Sequence, residues 1–470
     1  MTIGLFFKTI ITTAFFALIW AETASADTLK DALASAYNKN PRLQAERARL
    51  RETDEGYIQA RAQSRPSVAL SGVVSGSAVR TPFSFGSLGA DNSSVTVTGT
   101  PAAAQLEIIQ PVYQGGRLKA QRAQAHASIL AAREGLKNSE QQIFLSAATA
   151  YIDVLRDEQT AAFRRRNFMA LSRQLEAAQI SFDVGAGTRT DIAQAQGRVA
   201  GAEIGLAAAD AGLESSRAVF RRIVGRNAVD LQPIPQIIIP SSREEALNIA
   251  LRNNPQINAA RLNYDASDYG IDIAKSLKKP SLSLNATAAA QREQILGFSQ
   301  ADALTISAQV RVPLFSGGGN KSRVRQAQHA KTRLGFEVRD AELQVTQMIE
   351  QAWAQIQAAQ RSFTAGQSQV QATRIAFEGV ELEQHVGTRT VLDVLDAEAE
   401  VLNAEINLLA AQRNLDGAIF QLLAVMGTFN VEGLGVPVDV YVPADNLEAI
   451  KADGFDRLSK TILSGFEGDK

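Results

Sequence analysis

The sequence predicts a mixed fold in which very long coiled-coil α-helices are joined to four short β-strands. Three observations support this fold class. One plan occurs twice along the chain, each copy contains a proline-free stretch of unusual length, and each copy contains two segments in which apolar and polar residues alternate. Only 6% of the 470 residues are aromatic, which suits thin layers of closely packed helices better than one thick globular core.

The composition excludes several classes of protein. A formal net charge of −1 leaves no basic surplus of the kind that a nucleic-acid-binding surface requires. Because the chain has no cysteine, it can form no disulfide, thiolate metal site, cysteine nucleophile or lipidated cysteine. A mean hydropathy of −0.08 argues against a bundle of membrane-spanning helices.

Residues 1–26 are typical of a secretory signal peptide. Lys8 is followed by an apolar run that ends near Trp20, and the segment closes with Ala24-Ser25-Ala26, a small-x-small cleavage site. An N-terminal membrane anchor fits less well, because polar Glu22 and Thr23 precede that site. We expect cleavage after Ala26 and export of the mature chain.

The remaining sequence divides into a first structural repeat (27–240), a second repeat (241–430) and a C-terminal tail (431–470). Matching landmarks lie 214 residues apart early in each copy and 202 residues apart later, so one loop is shorter in the second copy. The landmark pairs are Asn40-Pro41 with Asn254-Pro255, Arg65-Pro66 with Lys279-Pro280, Gly115-Gly116 with Gly317-Gly318, and Asp191 with Asp393.

Each copy is expected to begin with a helix, over Leu29–Ala62 and Glu244–Leu277, and to continue with two strands. Alternation places the strands at 68–75, 105–112, 281–290 and 304–312. In the last of these, apolar Leu304, Ile306 and Ala308 lie on one face and polar Thr305, Ser307 and Gln309 on the other. Ser77–Pro101 is rich in Gly, Ser and Thr, which predicts a long mobile loop.

The proline-free stretches Gly116–Asp183 and Gly318–His385 predict two helices of 68 residues, each about 100 Å long. Each ends at a turn, Val184-Gly185 or Val386-Gly387, where glycine suits a left-handed helix cap. A last helix then begins in each copy with a Thr-x-x-Asp capping box. Apolar residues recur every seven along the second of these helices, which predicts side-by-side coiled-coil packing.

The run Val386-Gly-Thr-Arg-Thr-Val-Leu-Asp-Val-Leu-Asp-Ala397, together with the repeated strand–strand–long-helix plan, resembles the TolC family of outer-membrane efflux and secretion channels. The likeness extends from about Thr28 to Asn430. It implies a homotrimer whose α-helices form a tunnel (an α-barrel) projecting into the periplasm. Each chain would give four strands to a shared 12-stranded antiparallel transmembrane β-barrel in the outer membrane of a Gram-negative-type bacterium. A lipid-anchored branch of the family begins with a cysteine and is excluded here.

The open edges of a four-stranded sheet agree with this reading. Lipid-exposed open edges are not tolerated, and transmembrane barrels start at eight strands, so one chain cannot close a barrel alone. An ordinary soluble sandwich would show the same alternation, and the long helices are what favour the channel.

The resemblance implies a passive exit duct of a tripartite efflux or type I secretion system. Its partners would be a periplasmic adaptor protein, an inner-membrane RND or ABC transporter and outer-membrane lipid, with no nucleic acid and no cofactor. A non-conducting periplasmic scaffold that tethers two membranes is the alternative. An enzyme is not expected, because His126, His329 and His385 are far apart and no catalytic motif accompanies them.

The resemblance also implies a pore gate at Asp393 and Asp396, where threefold symmetry would bring six carboxylates together. The Thr390-x-x-Asp393 motif offers a second role for Asp393, as a helix cap. Asp396 lies nearly a turn further along and cannot serve as that cap. Its counterpart in the first copy is Gln194, so the repeat does not require the charge.

Further expectations concern the closed state and the adaptor. Arg389 matches a family arginine that would bridge to Thr190 and Asp191 of a neighbouring helix pair; an exposed turn arginine is the simpler alternative. Two members of that clasp are replaced, by Gln384 and Gln412, and Arg413 is turned by about 100° from the expected position. The turns at Val184, Gly185, Val386 and Gly387 would contact the adaptor.

Overall fold

The computed structural model describes residues 27–83, 93–235, 237–292 and 300–451. The predicted signal peptide at 1–26 and the end of the tail at 452–470 lie outside the described residues. The chain forms two compact units. Among the described residues, one unit contains 27–47 with Leu136–Pro255 and Glu342–Tyr441, and the other contains Ala48–Gly135, Gln256–Ala341 and 442–451. Both sequence repeats contribute to each unit.

The helices of the two copies match in length to the residue. Paired lengths are 11, 22, 67 and 36 residues. In the first copy the helices are α1 (Leu29–Lys39), α2 (Pro41–Ala62), α3 (Arg117–Asp183) and α4 (Arg189–Val224). In the second they are α5 (Arg243–Asn253), α6 (Pro255–Ser276), α7 (Gly319–His385) and α8 (Val391–Met426), and a short α9 (Val431–Leu434) follows. The two long helices are therefore confirmed.

The first helix of each copy is broken, where one continuous helix was expected. Asn40 and Asn254 have extended backbones (ψ 120° and 121°), because proline disfavours helical geometry in the residue before it. Both asparagine side chains are buried and donate to the end of a later helix: Asn40 Nδ2 to the Ile223 carbonyl at 2.9 Å, and Asn254 Nδ2 to the Val425 carbonyl at 2.8 Å. The Asn-Pro break thus fastens α1–α2 to α4, and α5–α6 to α8.

Four strands form one antiparallel sheet in the order β1-β4-β5-β6. Their bounds are β1 Ser67–Val74, β4 Ala102–Gln114, β5 Ser281–Arg292 and β6 Gln300–Arg311. The register places apolar residues beside apolar residues on one face of the sheet and mostly polar residues together on the other. One row runs Leu70, Leu106, Ala288 and Leu304, and the next row on the opposite face runs Ala69, Glu107, Thr287 and Thr305. The sheet therefore has one apolar and one mostly polar face, as the alternation predicted.

The predicted loop over Ser77–Pro101 was wrong for the described part, which forms a hairpin of β2 (Ser77–Phe83) and β3 (Ser93–Gly99). The hairpin continues the β1/β4 register without a shift, across a break where Ser75 N–H donates to the Pro101 carbonyl at 3.0 Å. The Val and Thr residues that alternate over 95–98 favour extended backbone despite the loop-like composition. Residues 84–92 lie outside the described chain.

The buried aromatic side chains of the described residues all lie in the core of the first unit. Six of the largest fully buried side chains are Tyr37, Phe144, Tyr151, Phe220, Phe420 and Phe429. Phe144 lies edge-to-face on Phe429 at 6.5 Å, and the Tyr151 hydroxyl reaches the carbonyls of Asp27 and Gln232 at 2.7 and 2.6 Å. Asp27, where the described residues begin, and the linker after α4 are thereby held against α3.

The described part of the tail is ordered. In the first unit, Tyr441 N–H donates to the Tyr37 hydroxyl at 3.0 Å, and the buried Arg47 guanidinium lies over both rings. In the second unit, residues 443–451 are helical, and Asn446 Nδ2 donates to Asp54 Oδ2 on α2 at 2.8 Å. None of the helices in the described ranges has both the length and the hydropathy of a membrane-spanning helix.

Candidate functional site

The two helix-to-helix turns of the first unit have the same geometry. Gly185 and Gly387 adopt φ of 78° and 81°, the left-handed region that glycine occupies without a Cβ penalty. Val184 and Val386 beside them leave 74% and 76% of their surface exposed. Each turn therefore presents one apolar side chain to solvent.

A capping box follows each turn. The Asp393 carboxylate accepts from Thr390 N–H at 2.9 Å and from its hydroxyl at 2.8 Å, and Thr390 Oγ1 accepts from Asp393 N–H at 3.2 Å. Asp191 and Thr188 repeat this arrangement. The hydrogen bonds from these threonines lower the pKa of both carboxyl groups, so both are charged at neutral pH. Asp393 thus has the capping role that its motif indicated.

Asp396 pairs with an arginine of the other repeat. Arg198 on α4 donates to its carboxylate, while 57% of the Asp396 side chain stays exposed. The neighbouring Leu395 belongs to a buried apolar cluster with Leu171 on α3 and Ala202 on α4. The cluster and the ion pair together join α8 to the first copy's helix pair at this level.

Arg389 bonds within its own turn. Its Nε donates to Glu383 Oε2 at 2.9 Å, which raises the pKa of the arginine further. Thr190 is exposed, and Asp191 is engaged by Thr188. The bridge from Arg389 to Thr190 and Asp191 stays a prediction.

Gln412, which replaces one member of the expected clasp, and the adjacent Arg413 on α8 both have partners. Gln412 Nε2 donates to both oxygens of Asp416 at 3.0 Å. Arg413 makes a two-pronged contact with Asp153 on α3, through Nε at 2.7 Å and a terminal nitrogen at 3.3 Å. Such bidentate pairs are geometrically specific, so Arg413 ties α8 to α3.

Within the described ranges, no group of three or more His, Asp or Glu side chains lies close enough to hold a metal ion. His126 packs on the Tyr57 ring, and His385 Nδ1 lies 2.8 Å from the Glu381 carbonyl.

Comparison with known proteins decides the family. A family model described as outer membrane efflux protein matches residues 32–226 and 246–428. The chain belongs to this family. It is 31% identical to outer membrane efflux protein BepC of Brucella suis over 441 residues, which is 93% of each chain. It is also 28% identical to outer membrane protein TolC of Vibrio cholerae over 302 residues, covering 62% of this chain and 69% of that one.

The fold agrees with the family. The solved structure of the Campylobacter jejuni CmeC outer membrane channel superposes with a TM-score of 0.70 at 14% identity, covering 90% of this chain and 88% of that chain. The protein therefore has the TolC-like channel fold, and it is an outer-membrane exit duct that extends into the periplasm.

The sequence did not predict three residues that form ion pairs at the site. Arg198 pairs with Asp396, Glu383 with Arg389, and Asp153 with Arg413. Glu383 was detectable in principle, since it lies six residues before Arg389 across a glycine turn. Arg198 and Asp153 belong to the other repeat from the residues they bind, and no sequence spacing relates them to Asp396 or Arg413.

Proposed function

We propose that the protein is the homotrimeric outer-membrane exit duct of a tripartite efflux or type I secretion system. In this proposal a periplasmic adaptor docks on the duct, an inner-membrane RND or ABC transporter supplies the energy, and the duct itself is passive. The observation that supports it most is the antiparallel sheet, which has one apolar and one mostly polar face. Among the described residues, each of its outer strands, β1 and β6, is paired on one side only.

The apolar face of that sheet is solvent-exposed in the single chain. Leu70, Leu304 and Ile306 leave 77%, 75% and 77% of their surface uncovered, whereas the opposite face carries Thr305, Ser307 and other polar groups. An exposed apolar band backed by a wet face is the pattern of a transmembrane β-barrel. The lipid then covers the leucines and isoleucine that water would otherwise meet.

The sheet cannot close alone. In the described chain, β1 and β6 each pair on one side only. Open edges are costly in lipid, and four strands are too few for a barrel, so further copies must supply the missing neighbours. Three copies would give twelve strands.

At the other end of the helices, the proposal places Asp393 and Asp396 of three copies around the pore as a gate. The exposed turns at Val184-Gly185 and Val386-Gly387 are then the surfaces that a periplasmic adaptor contacts. A solvent-exposed valine at the tip of each turn suits insertion into an apolar groove of that partner.

The test is purification in detergent, native mass spectrometry and insertion into planar bilayers. Three copies per particle with discrete ion conductance are expected. A monomer that inserts without conducting would refute the duct and favour the alternative, a non-conducting scaffold that tethers the two membranes.

Cargo is tested in a strain that lacks this gene. Increased sensitivity to dyes and detergents identifies small-molecule efflux, whereas loss of a protein from the culture medium identifies type I secretion. A strain unchanged in both would contradict the exit-duct role in that organism.

A further inference from the structure

We infer that neighbouring copies of the chain join in one specific register, in which β6 of one copy pairs with β1 of the next so that Gln309 lies opposite Val73 and Arg311 opposite Ser71. The inference rests on the homotrimer proposed above. It adds to that proposal which residues face each other along the β6/β1 contact between two chains, here called the seam.

The first support is that the internal repeat preserves strand register exactly. Ser67 pairs with Ile109 in the β1/β4 hairpin. Moving each residue by its repeat offset, 214 for the first strand and 202 for the second, gives Ser281 with Arg311, which is a pair in the β5/β6 hairpin. The other pairs of the two hairpins correspond in the same way.

Within one chain, β4 of the first repeat pairs with β5 of the second repeat. This β4/β5 pairing supplies a template for the pairing between two chains. Glu107 pairs with Thr287 there. The same offsets convert this pair into Gln309 of β6 and Val73 of β1 in the next copy. Every converted pair stays on one face of the sheet, which a register shifted by one residue would not allow.

The second support is that β6 ends early. β4 continues to Gln114, whose repeat counterpart is Ser316, but β6 ends at Arg311. The end of β4 is held by β5, where Tyr113 pairs with Leu282 beyond a bulge.

The residues after β6 lack such a partner among the described residues and belong to no strand. Leu314 and Phe315 are 91% and 90% exposed as a result. The converted register gives Phe315 a partner, Val68 of the next copy, and places the bulge at Leu314. The seam would therefore cover apolar surface that the single chain leaves bare.

The third support is a pair of glycines. A Cβ on Gly115 would lie 2.7 Å from the Ser276 carbonyl oxygen and 2.8 Å from Lys279 Cβ, so the α6–β5 connection leaves no room for a side chain. Its counterpart Gly317 has a similar φ, 58° against 64°, yet a Cβ added there would meet no atom of the described residues within 4 Å beyond its chain neighbours. The repeat offset of 214 converts Ser276 and Lys279 into Ala62 and Arg65. In the proposed register, the α2–β1 connection of the next chain, Ala62–Arg65, would therefore pack against Gly317.

Cysteine cross-linking tests the register directly, because the native chain has no cysteine to interfere. Gln309→Cys with Val73→Cys, and Arg311→Cys with Ser71→Cys, should form disulfide-linked dimers and trimers on mild oxidation in membranes. Facing Cβ atoms are about 5 Å apart, close to what a disulfide needs. Within one chain β1 and β6 are three strand spacings apart, about 14 Å, so the product must link two copies.

The matched control is Gln309→Cys with Ser71→Cys, which is shifted by two residues on the same face and separates the Cβ atoms by about 7–8 Å. Glu107→Cys with Thr287→Cys calibrates the method within one chain. If the shifted pair links better than the proposed pairs, or if a verified trimer links in neither register, the inference is overturned. A monomer by native mass spectrometry would instead overturn the trimer itself.

A second test uses the glycines. Asparagine tolerates left-handed backbone, so Gly317→Asn should leave the helical circular dichroism of the protein unchanged but reduce the yield of trimer several-fold. Gly318→Asn is the control, because among the described residues a Cβ added at Gly318, or at its counterpart Gly116, would meet no atom within 4 Å beyond its chain neighbours. Equal trimer yields from the two variants would contradict the seam.

Discussion

Replacing Arg198 tests the proposed gate most sharply, because the structure pairs this arginine with Asp396. Asp393, Asp396 and Arg198 give each chain two negative charges and one positive charge at this level of the helices. Arg198→Gln makes the balance two negative charges per chain, and Asp396→Asn makes it neutral. The Asp396 side chain is 57% exposed, so water can solvate it when its partner is removed.

The expected size of the effect follows from Coulomb's law. One added charge about 8 Å from a permeating ion changes the electrostatic energy of that ion by about 0.5 kcal/mol at the dielectric constant of water. Screening in ~0.1 M salt roughly halves this value. Three chains together then shift the local cation concentration about threefold, upward for Arg198→Gln.

The assay is the reversal potential of single channels in planar bilayers under a salt gradient. Cation preference should rank Arg198→Gln above the native protein and the native protein above Asp396→Asn. Arg165→Gln is the matched control, since Arg165 forms a similar exposed pair with Asp210 about 27 Å along α3 from its end. If the two variants and the native protein have equal reversal potentials, or if the control shifts as much, the proposed gate at Asp393 and Asp396 is not where the ions pass.

Three further outcomes are expected. Thr390→Ala should speed amide hydrogen exchange in the first turn of α8 but not of α4, because the hydroxyl caps only the former; equal exchange in both would contradict this. Glu398→Gln should raise the denaturation midpoint at pH 7, because burial raises the pKa of this carboxyl and Gln174 Oε1 lacks a donor among the described residues. The gain should vanish below about pH 4.5, where Glu398 is protonated folded or unfolded, and a pH-independent gain would count against it. Tyr151→Phe should cost about 1–3 kcal/mol in urea unfolding, because two backbone carbonyls lose the hydroxyl between them; native-like stability would refute that role.

Local periodicity was sufficient for the long elements. The stretch Gly318–His385 predicted α7 to within one residue, because a helix without proline or a cap signal has no reason to end. The alternation over 281–290 and 304–312 likewise predicted β5 and β6 and their two faces. These signals lie in neighbouring residues and require no knowledge of tertiary contacts.

The errors occurred where one local signal competed with another. Ser77–Pro101 has the Gly, Ser and Thr content of a loop, yet pairing in register with the β1/β4 hairpin selects extended backbone for its described ends. In Asn40-Pro41 the proline was visible in the sequence, but its effect on the preceding residue was underestimated.

The candidate site was predictable only in its local part. The Thr390–Asp393 capping box lies within four residues and was predicted correctly. The pair between Arg198 and Asp396 joins residues 198 positions apart, and it depends on how Leu395 packs between α3 and α4. A single sequence contains no spacing that specifies such a contact.

The equal lengths of the paired helices restrict how the gene can change. One residue inserted in α3 would turn all later side chains by about 100° and lengthen the helix by about 1.5 Å, while α7 in the other copy stayed at 67 residues. Substitutions along these helices are therefore far easier to accommodate than insertions or deletions. Length changes should be found in multiples of seven and in both repeats at once.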